Sequence, residues 1–130
     1  MSEPAILCVD DEVAILKSLE IELQDAFKSS YLYEFAESAE EALEILNELY
    51  EDRISVFLVL SDWLMPGMKG DEFLIQVHQK YPAVVKVMLT GQANKEAVER
   101  AKQQANLYRY LHKPWNTQEL VETIRSAVNP

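Results

Sequence analysis

The chain has 130 residues, 48% hydrophobic and 26% charged, so it is long enough to bury a single core and too apolar to be disordered. Twelve Lys and Arg against 22 Asp and Glu leave a formal charge of −10, which argues against direct nucleic-acid binding and favours a cation or a basic protein as partner. The lone Cys8 excludes an internal disulfide or a multi-thiolate metal centre, and without a basic leader or a membrane-length apolar run the expected setting is the cytoplasm, with no membrane contact.

The first apolar run, residues 5–9, holds Cys8 as a small buried hydrophobe and ends on Asp10 and Asp11. A helix should follow, because Ile15, Leu16, Leu19, Leu23 and Phe27 recur at three- and four-residue spacing. A mixed run at 31–36 is the second strand, and its end, Ala36-Glu37, carries nothing distinctive. Ser38 and Glu41 then open a second helix as a capping box, above the stripe Ala42, Leu43, Leu46 and Leu49.

The third strand, 56–60, runs into Asp62, Trp63, Leu64 and a Met-Pro-Gly turn. Gly67 and Gly70 suit that turn and the approach to a third helix striped with Phe73, Leu74 and Val77. The fourth strand, 84–89, stops at Thr90, and the helix after it, 94–105, offers only Ala97, Val98, Ala101 and Ala105 to the core. Such thin packing should make it the easiest element to shift. The fifth strand, 108–111, leads to Lys113 and Pro114, and Asn116 with Glu119 starts a last helix bearing Leu120, Ile124 and Val128.

Alternation of apolar strands with amphipathic helices predicts an α/β protein, a doubly wound five-stranded parallel sheet of order 2-1-3-4-5 with five helices, in one domain over 1–130. In that order the four strands that end in Asp10-Asp11, Asp62, Thr90 and Lys113 are contiguous, and the silent second strand is the edge. Three carboxylates and one ammonium sum to about −2, which suits a divalent cation with oxygen ligands, Mg²⁺ first and Mn²⁺ as a substitute. With the cation bound, a phosphoryl group could place its oxygens on the metal, Lys113 and Thr90, leaving Asp62 in line as nucleophile.

These residues resemble the receiver domain of bacterial two-component response regulators. The segments that carry the likeness are CVDDE, with Asp10 and Asp11; LVLSDWLMPGMKGDEF, with Asp62; VMLTGQ, with Thr90; and YLHKPW, with Tyr110, Lys113 and Pro114. The resemblance implies a flavodoxin-like fold and a phosphorelay role, in which Asp62 takes a phosphoryl group from a histidine kinase or phosphotransfer protein. It implies direct Mg²⁺ binding by Asp11, Asp62 and the Leu64 backbone carbonyl, with Asp10 acting through water or Lys113. Thr90 and Tyr110 would be the switch pair, and the Lys113–Pro114 peptide would be cis. The kinase would dock on Ala14, Ile15, Ser18, Pro114 and Trp115, and an effector domain or partner protein on helix four, strand five and helix five. Such a chain is not a turnover enzyme, since it assists only its own phosphorylation and dephosphorylation.

Other readings stay open at this level. A receiver degenerate in chemistry would keep only protein contacts, and an aspartate-nucleophile phosphatase would want a second acid where Leu64 stands. A nucleotide-binding module would want glycines where the chain reads Asp10-Asp11-Glu12. Tyr110 also fits a core aromatic, His112 a packed or partly exposed histidine, and Trp63 and Trp115 loop closures. Leu64 and Gln92 should border the path of a hydrolytic water, and neither is a base.

Overall fold

Five buried positions in a row make β1 (Ala5–Val9) a strand covered on both faces. Elements then alternate as α1 (Val13–Phe27), β2 (Leu32–Ala36), α2 (Ala39–Glu51), β3 (Val56–Asp62), α3 (Gly70–Lys80), β4 (Val85–Thr90), α4 (Lys95–Gln104), β5 (Arg109–His112) and α5 (Thr117–Val128). The computed structural model describes residues 3–91 and 94–128. All strands pair in parallel in the order β2-β1-β3-β4-β5, the order read from the sequence. Among the described residues no helix is long and apolar enough to cross a membrane.

The two-residue period of the strands splits the core. Leu7, Val59 and Met88 meet Leu46, Phe73 and Ala101 beneath α2, α3 and α4, while Cys8, Leu60 and Leu89 meet Leu19 and Ile124 beneath α1 and α5. Helix ends follow local chemistry. Ser38 Oγ accepts from the Glu41 amide at 3.1 Å, but the Glu41 carboxylate reaches back to the Glu37 amide, 2.6 Å, one residue before the cap. Asn94 caps α4 by accepting from the Ala97 amide at 2.9 Å, and Asn116 accepts from the Glu119 amide at 3.2 Å.

The structure departs from the sequence reading at several points. β3 continues past Leu60 to Asp62 and β4 reaches Thr90, because neighbouring strands still offer ladder partners there: Asp62 pairs with Leu89 and Thr90 with His112. β5 sits one residue later than expected, and only its Leu111 is buried, as befits an edge strand. A 3₁₀ turn, Lys28–Ser30, follows α1. Lys86, inside the apolar fourth run, is only 1% exposed; its Nζ meets His78 Nδ1 at 2.8 Å and donates to the Pro82 carbonyl at 3.2 Å. Burial pulls its pKa down.

Two glycines shape the approach to α3. Gly67 has φ +80°, a left-handed value that favours glycine, and Gly70 lies against the end of β3. A Cβ at Gly70 would stand 2.1 Å from the Asp62 carbonyl oxygen, while its amide donates to the Trp63 carbonyl at 2.8 Å. Gly70→Ala should therefore lower stability by about 3 kcal/mol through overpacking against backbone. Urea unfolding is the check, and an unchanged midpoint would mean that the loop after β3 yields freely.

Candidate functional site

The parallel sheet brings the carboxyl ends of β1, β3, β4 and β5 to one rim. Asp10, just past β1, is 1% exposed; its Oδ1 accepts from the Glu12 amide at 2.8 Å and its Oδ2 from Lys113 Nζ at 2.7 Å. Asp62, the last residue of β3, is 5% exposed, and its Oδ1 accepts from the Trp63 amide at 2.9 Å. Lys113 Nζ lies 3.4 Å from the same oxygen. Asp62 Oδ2 has no donor among the described residues. Asp11 is exposed beside them, and the three carboxylates offer ligand atoms that all lie within 4.8 Å of one another.

Lys113 is aimed by the sheet. Its amide donates to the Thr90 carbonyl at 2.9 Å, extending the β4–β5 pairing, and the Lys113–Pro114 peptide is cis. Thr90 is buried at the end of β4. Tyr110 lies half-buried on β5, its hydroxyl enclosed and without a hydrogen-bond partner among the described residues. It lines a cavity of about 270 Å³ with Asn94, Lys95, Val98, Glu99 and Lys102 on and beside α4. His112 is exposed, and the Leu64 side chain is 44% exposed. Gln92 lies outside the described residues.

Electrostatics follow from this crowding. Burial, and then the charge of Asp10, push the Asp62 pKa up to about 6, against the opposing pull of Lys113 and the Trp63 amide. For Lys113, burial alone would lower the pKa, but the hydrogen bond from its ammonium to Asp10 and the charges of Asp10 and Asp62 raise it overall. Cys8 is no nucleophile: burial and Asp10 push its thiol up to about 12.

Three residues that shape the site were not singled out from the sequence as site residues. Asp71, in the first turn of α3 and 3% exposed, accepts from Trp63 Nε1 at 3.1 Å and from Arg100 Nη1 of α4 at 2.7 Å. Glu22 of α1 accepts from Trp115 Nε1 at 2.9 Å and Thr117 Oγ1 at 2.7 Å, tying down the loop after β5. Glu40 of α2 accepts from the Met68 amide at 3.3 Å. Asp71 reads in the sequence as an ordinary first-turn acid of α3, and all three meet their partners only once the helices are docked.

Residues 6–125 match the response regulator receiver domain. The chain belongs to that family. It is 32% identical over 126 residues to the hydrogenase transcriptional regulatory protein HoxA of Cupriavidus necator, covering 97% of this chain and 24% of that protein. It is 30% identical over 129 residues to the DNA-binding transcriptional regulator NtrC of Escherichia coli K12, covering 99% of this chain and 26% of that protein. The chain thus spans about a quarter of the length of these curated relatives. Among solved structures, the signal receiver domain of an HD domain-containing protein from Pseudomonas fluorescens Pf-5 aligns with TM-score 0.87 at 35% identity, over 97% of this chain and 94% of that one. A CheY-like receiver domain protein from Methanospirillum hungatei JF-1 aligns with TM-score 0.85 at 32% identity, over 98% and 95% respectively. As a receiver domain, the chain serves two-component phosphorelay signalling.

The raised pKa of Asp62 makes this receiver's stability depend on pH in a defined sense. The folded state holds the proton up to about pH 6 and the unfolded chain releases it near 3.8, so stability falls as pH rises through that window and the cost is complete above it. Without divalent cation, Asp62→Asn should therefore gain about 2–3 kcal/mol at pH 7 and almost nothing below the unfolded pKa. Urea midpoints of parent and variant in chelator at the two pH values test this; an equal gain at both would refute the electrostatic origin.

Proposed function

We propose that this receiver is phosphorylated on Asp62 by a histidine kinase or phosphotransfer protein, and that residues 1–130 act as one phosphoacceptor unit in the cytoplasm. The observation that carries the reading is the Asp62 carboxylate: Oδ1 is held by the Trp63 amide and faced by Lys113, while Oδ2 has no donor among the described residues. Oδ2 is then the attacking oxygen. As its bond to phosphorus forms, the donor's P–N or P–O bond breaks and the electron pair leaves with the donor. Lys113, whose Nζ lies 3.4 Å from Asp62 Oδ1, would take charge from one phosphoryl oxygen and the Thr90 hydroxyl from another.

The acid cluster fits a hard divalent cation. Its donors are all oxygen, and the charge of Asp10 adds to burial in raising the proton affinity of Asp62. Asp10, Asp11, Asp62 and the Leu64 carbonyl would hold Mg²⁺, or Mn²⁺ in its place. When bound, the ion would neutralise charge and offer a coordination position to a phosphoryl oxygen. Thr90 and Tyr110 are the switch pair in this reading; the Tyr110 hydroxyl is enclosed and has no hydrogen-bond partner among the described residues, which favours its exchanging one setting for another. The kinase would meet Ala14, Ser18 and Pro114, all exposed, with Ile15 and Trp115 half-buried beside them. The effector or partner protein would read α4, β5 and α5. The chain is no turnover enzyme: Leu64 stands where an aspartate-nucleophile phosphatase would carry its second acid. A receiver kept for contacts alone would have no need of the assembled Asp62, Lys113 and Asp10 set.

Incubation with a small phosphodonor and Mg²⁺ should add one phosphoryl group, lost in Asp62→Asn and prevented by chelator. Mass spectrometry reads it, and undiminished labelling of the variant would sink the assignment.

A second expectation concerns lifetime. Leu64 is exposed two residues beyond Asp62 and offers an approaching water neither base nor hydrogen bond. Leu64→Asn should accelerate loss of the phosphoryl group about tenfold, or roughly 1.4 kcal/mol of barrier. Decay after donor removal is the measurement, and equal lifetimes would free Leu64 of that role.

A further inference from the structure

We propose that Asp71 is a positioning residue for the phosphoacceptor, acting through Trp63, and that its ion pair with Arg100 makes α4 sense the state of Asp62 by a route separate from Thr90 and Tyr110. The inference rests on the reading of Asp62 as phosphoacceptor and extends it to residues outside the acid cluster.

The geometry forms an unbroken chain of short polar contacts. Arg100 Nη1 of α4 donates to Asp71 Oδ2 at 2.7 Å, and Asp71 Oδ1 accepts from the Trp63 indole Nε1 at 3.1 Å. The Trp63 amide donates to Asp62 Oδ1 at 2.9 Å, and the Trp63 carbonyl accepts from the Gly70 amide at 2.8 Å. Trp63 is therefore gripped at its amide, its carbonyl and its ring. The ring grip comes from a carboxylate 3% exposed, with one oxygen given to each partner.

Such an arrangement is more than a surface ion pair. Arg100 is half exposed, so the pair by itself would count for little, but Asp71 is enclosed and sits in the first turn of α3, where the helix dipole favours its charge. The buried end sits on α3 and is tied through Trp63 to the end of β3, and the exposed end rides on α4. That helix is held to the core by small side chains, Ala97, Ala101 and Ala105, with Val98 half-buried, so moving it displaces little apolar surface. A shift of α4 changes the Arg100–Asp71 distance directly. Conversely, a phosphoryl group on Asp62 competes for the Trp63 amide and loosens the ring's anchor.

Catalytically, the consequence concerns aim. With Trp63 clamped, its amide fixes the rotation of the Asp62 carboxylate and presents Oδ2 outward; unclamped, the carboxylate can turn, and misaligned attack is slow. Asn at position 71 still offers a side-chain oxygen to the indole but no charge to Arg100, whereas Ala offers neither. The two halves of the proposal can thus be separated.

The experiment measures phosphorylation of the whole chain by acetyl phosphate at saturating Mg²⁺, for the parent, D71A, D71N, W63F, W63F/D71A and R100A, with thermal unfolding confirming that each is folded. D71A and W63F should each slow incorporation about tenfold. The double variant should be no slower than the slower single one, because both remove the same contact. D71N should recover to within about threefold of the parent. R100A should phosphorylate at the parent's rate, yet lose the change in amide exchange of residues 95–104 that beryllofluoride induces in the parent. D71A at the parent's rate, or single effects that multiply in the double variant, would overturn the positioning role. An intact α4 response in R100A would overturn the coupling. Labelling retained in Asp62→Asn would instead overturn the phosphoacceptor reading, and this inference with it.

Discussion

Three carboxylates with oxygens within 4.8 Å of one another repel, and the rest of the molecule is arranged to hold them there. For the buried pair Asp10 and Asp62, when both are ionised, that repulsion is on the order of 3 kcal/mol at an effective dielectric near 20, while solvent screens exposed Asp11. Flexible loops would relax that repulsion by moving apart. Asp10 and Asp62 cannot, because Asp10 directly follows β1 and Asp62 ends β3, adjacent interior strands that are largely buried on both faces. Lys113 offsets part of the repulsion, and it too is placed by backbone, its amide locked to the Thr90 carbonyl. Burial, and then the charge of Asp10, still leave Asp62 with a raised pKa, and the negative charge that Lys113 does not offset suits a cation.

What surrounds the cluster is held in a graded way. Below it, Phe73, Leu74 and Met88 are fully buried and leave the strand ends no freedom. Beside it, each loop is tied by one side chain from a helix: Glu22 of α1 to Trp115 and Thr117, Glu40 of α2 to Met68, Asp71 of α3 to Trp63. α4 differs, since it contacts the core through alanines and the site through Arg100 and the neighbourhood of Tyr110. A rigid rim joined to one weakly held helix can turn a local change of charge into a displacement without disturbing the sheet. Polar contacts carry that link, so it can break and reform at modest cost.

The far half of β4 shows the opposite economy. Lys86 is buried among apolar neighbours with only His78 Nδ1 and the Pro82 carbonyl for its ammonium, so its charge is disfavoured by burial. Nothing in the alternation of the sequence marks this residue. A lysine in an apolar run reads as an interruption with its head in solvent, and it is His78 of α3 and the Pro82 carbonyl that take up its ammonium in the fold.

Sequence pattern was sufficient for most of the architecture, because period and burial are local properties. Strand runs, helix stripes and the caps at Ser38 and Asn116 follow from side chains within a few residues of one another. The candidate cluster was also legible, since a parallel sheet sends every strand's carboxyl end to the same rim, and Asp10, Asp11, Asp62, Thr90 and Lys113 all stand at such ends. Strand limits at Asp62 and Thr90 were not, because whether a polar residue stays in the ladder depends on a neighbouring strand's offer of partners. Nor were Asp71, Arg100, Glu22 and Lys86. Their roles depend on the distance between elements far apart in the chain, and that distance is set by how large side chains such as Phe73 and Leu46 fill the space between helix and sheet. The sequence by itself determined which chemistry gathers at the rim; tertiary packing alone decided which side chains hold it in place, because short-range polar contacts exist only after the layers have closed.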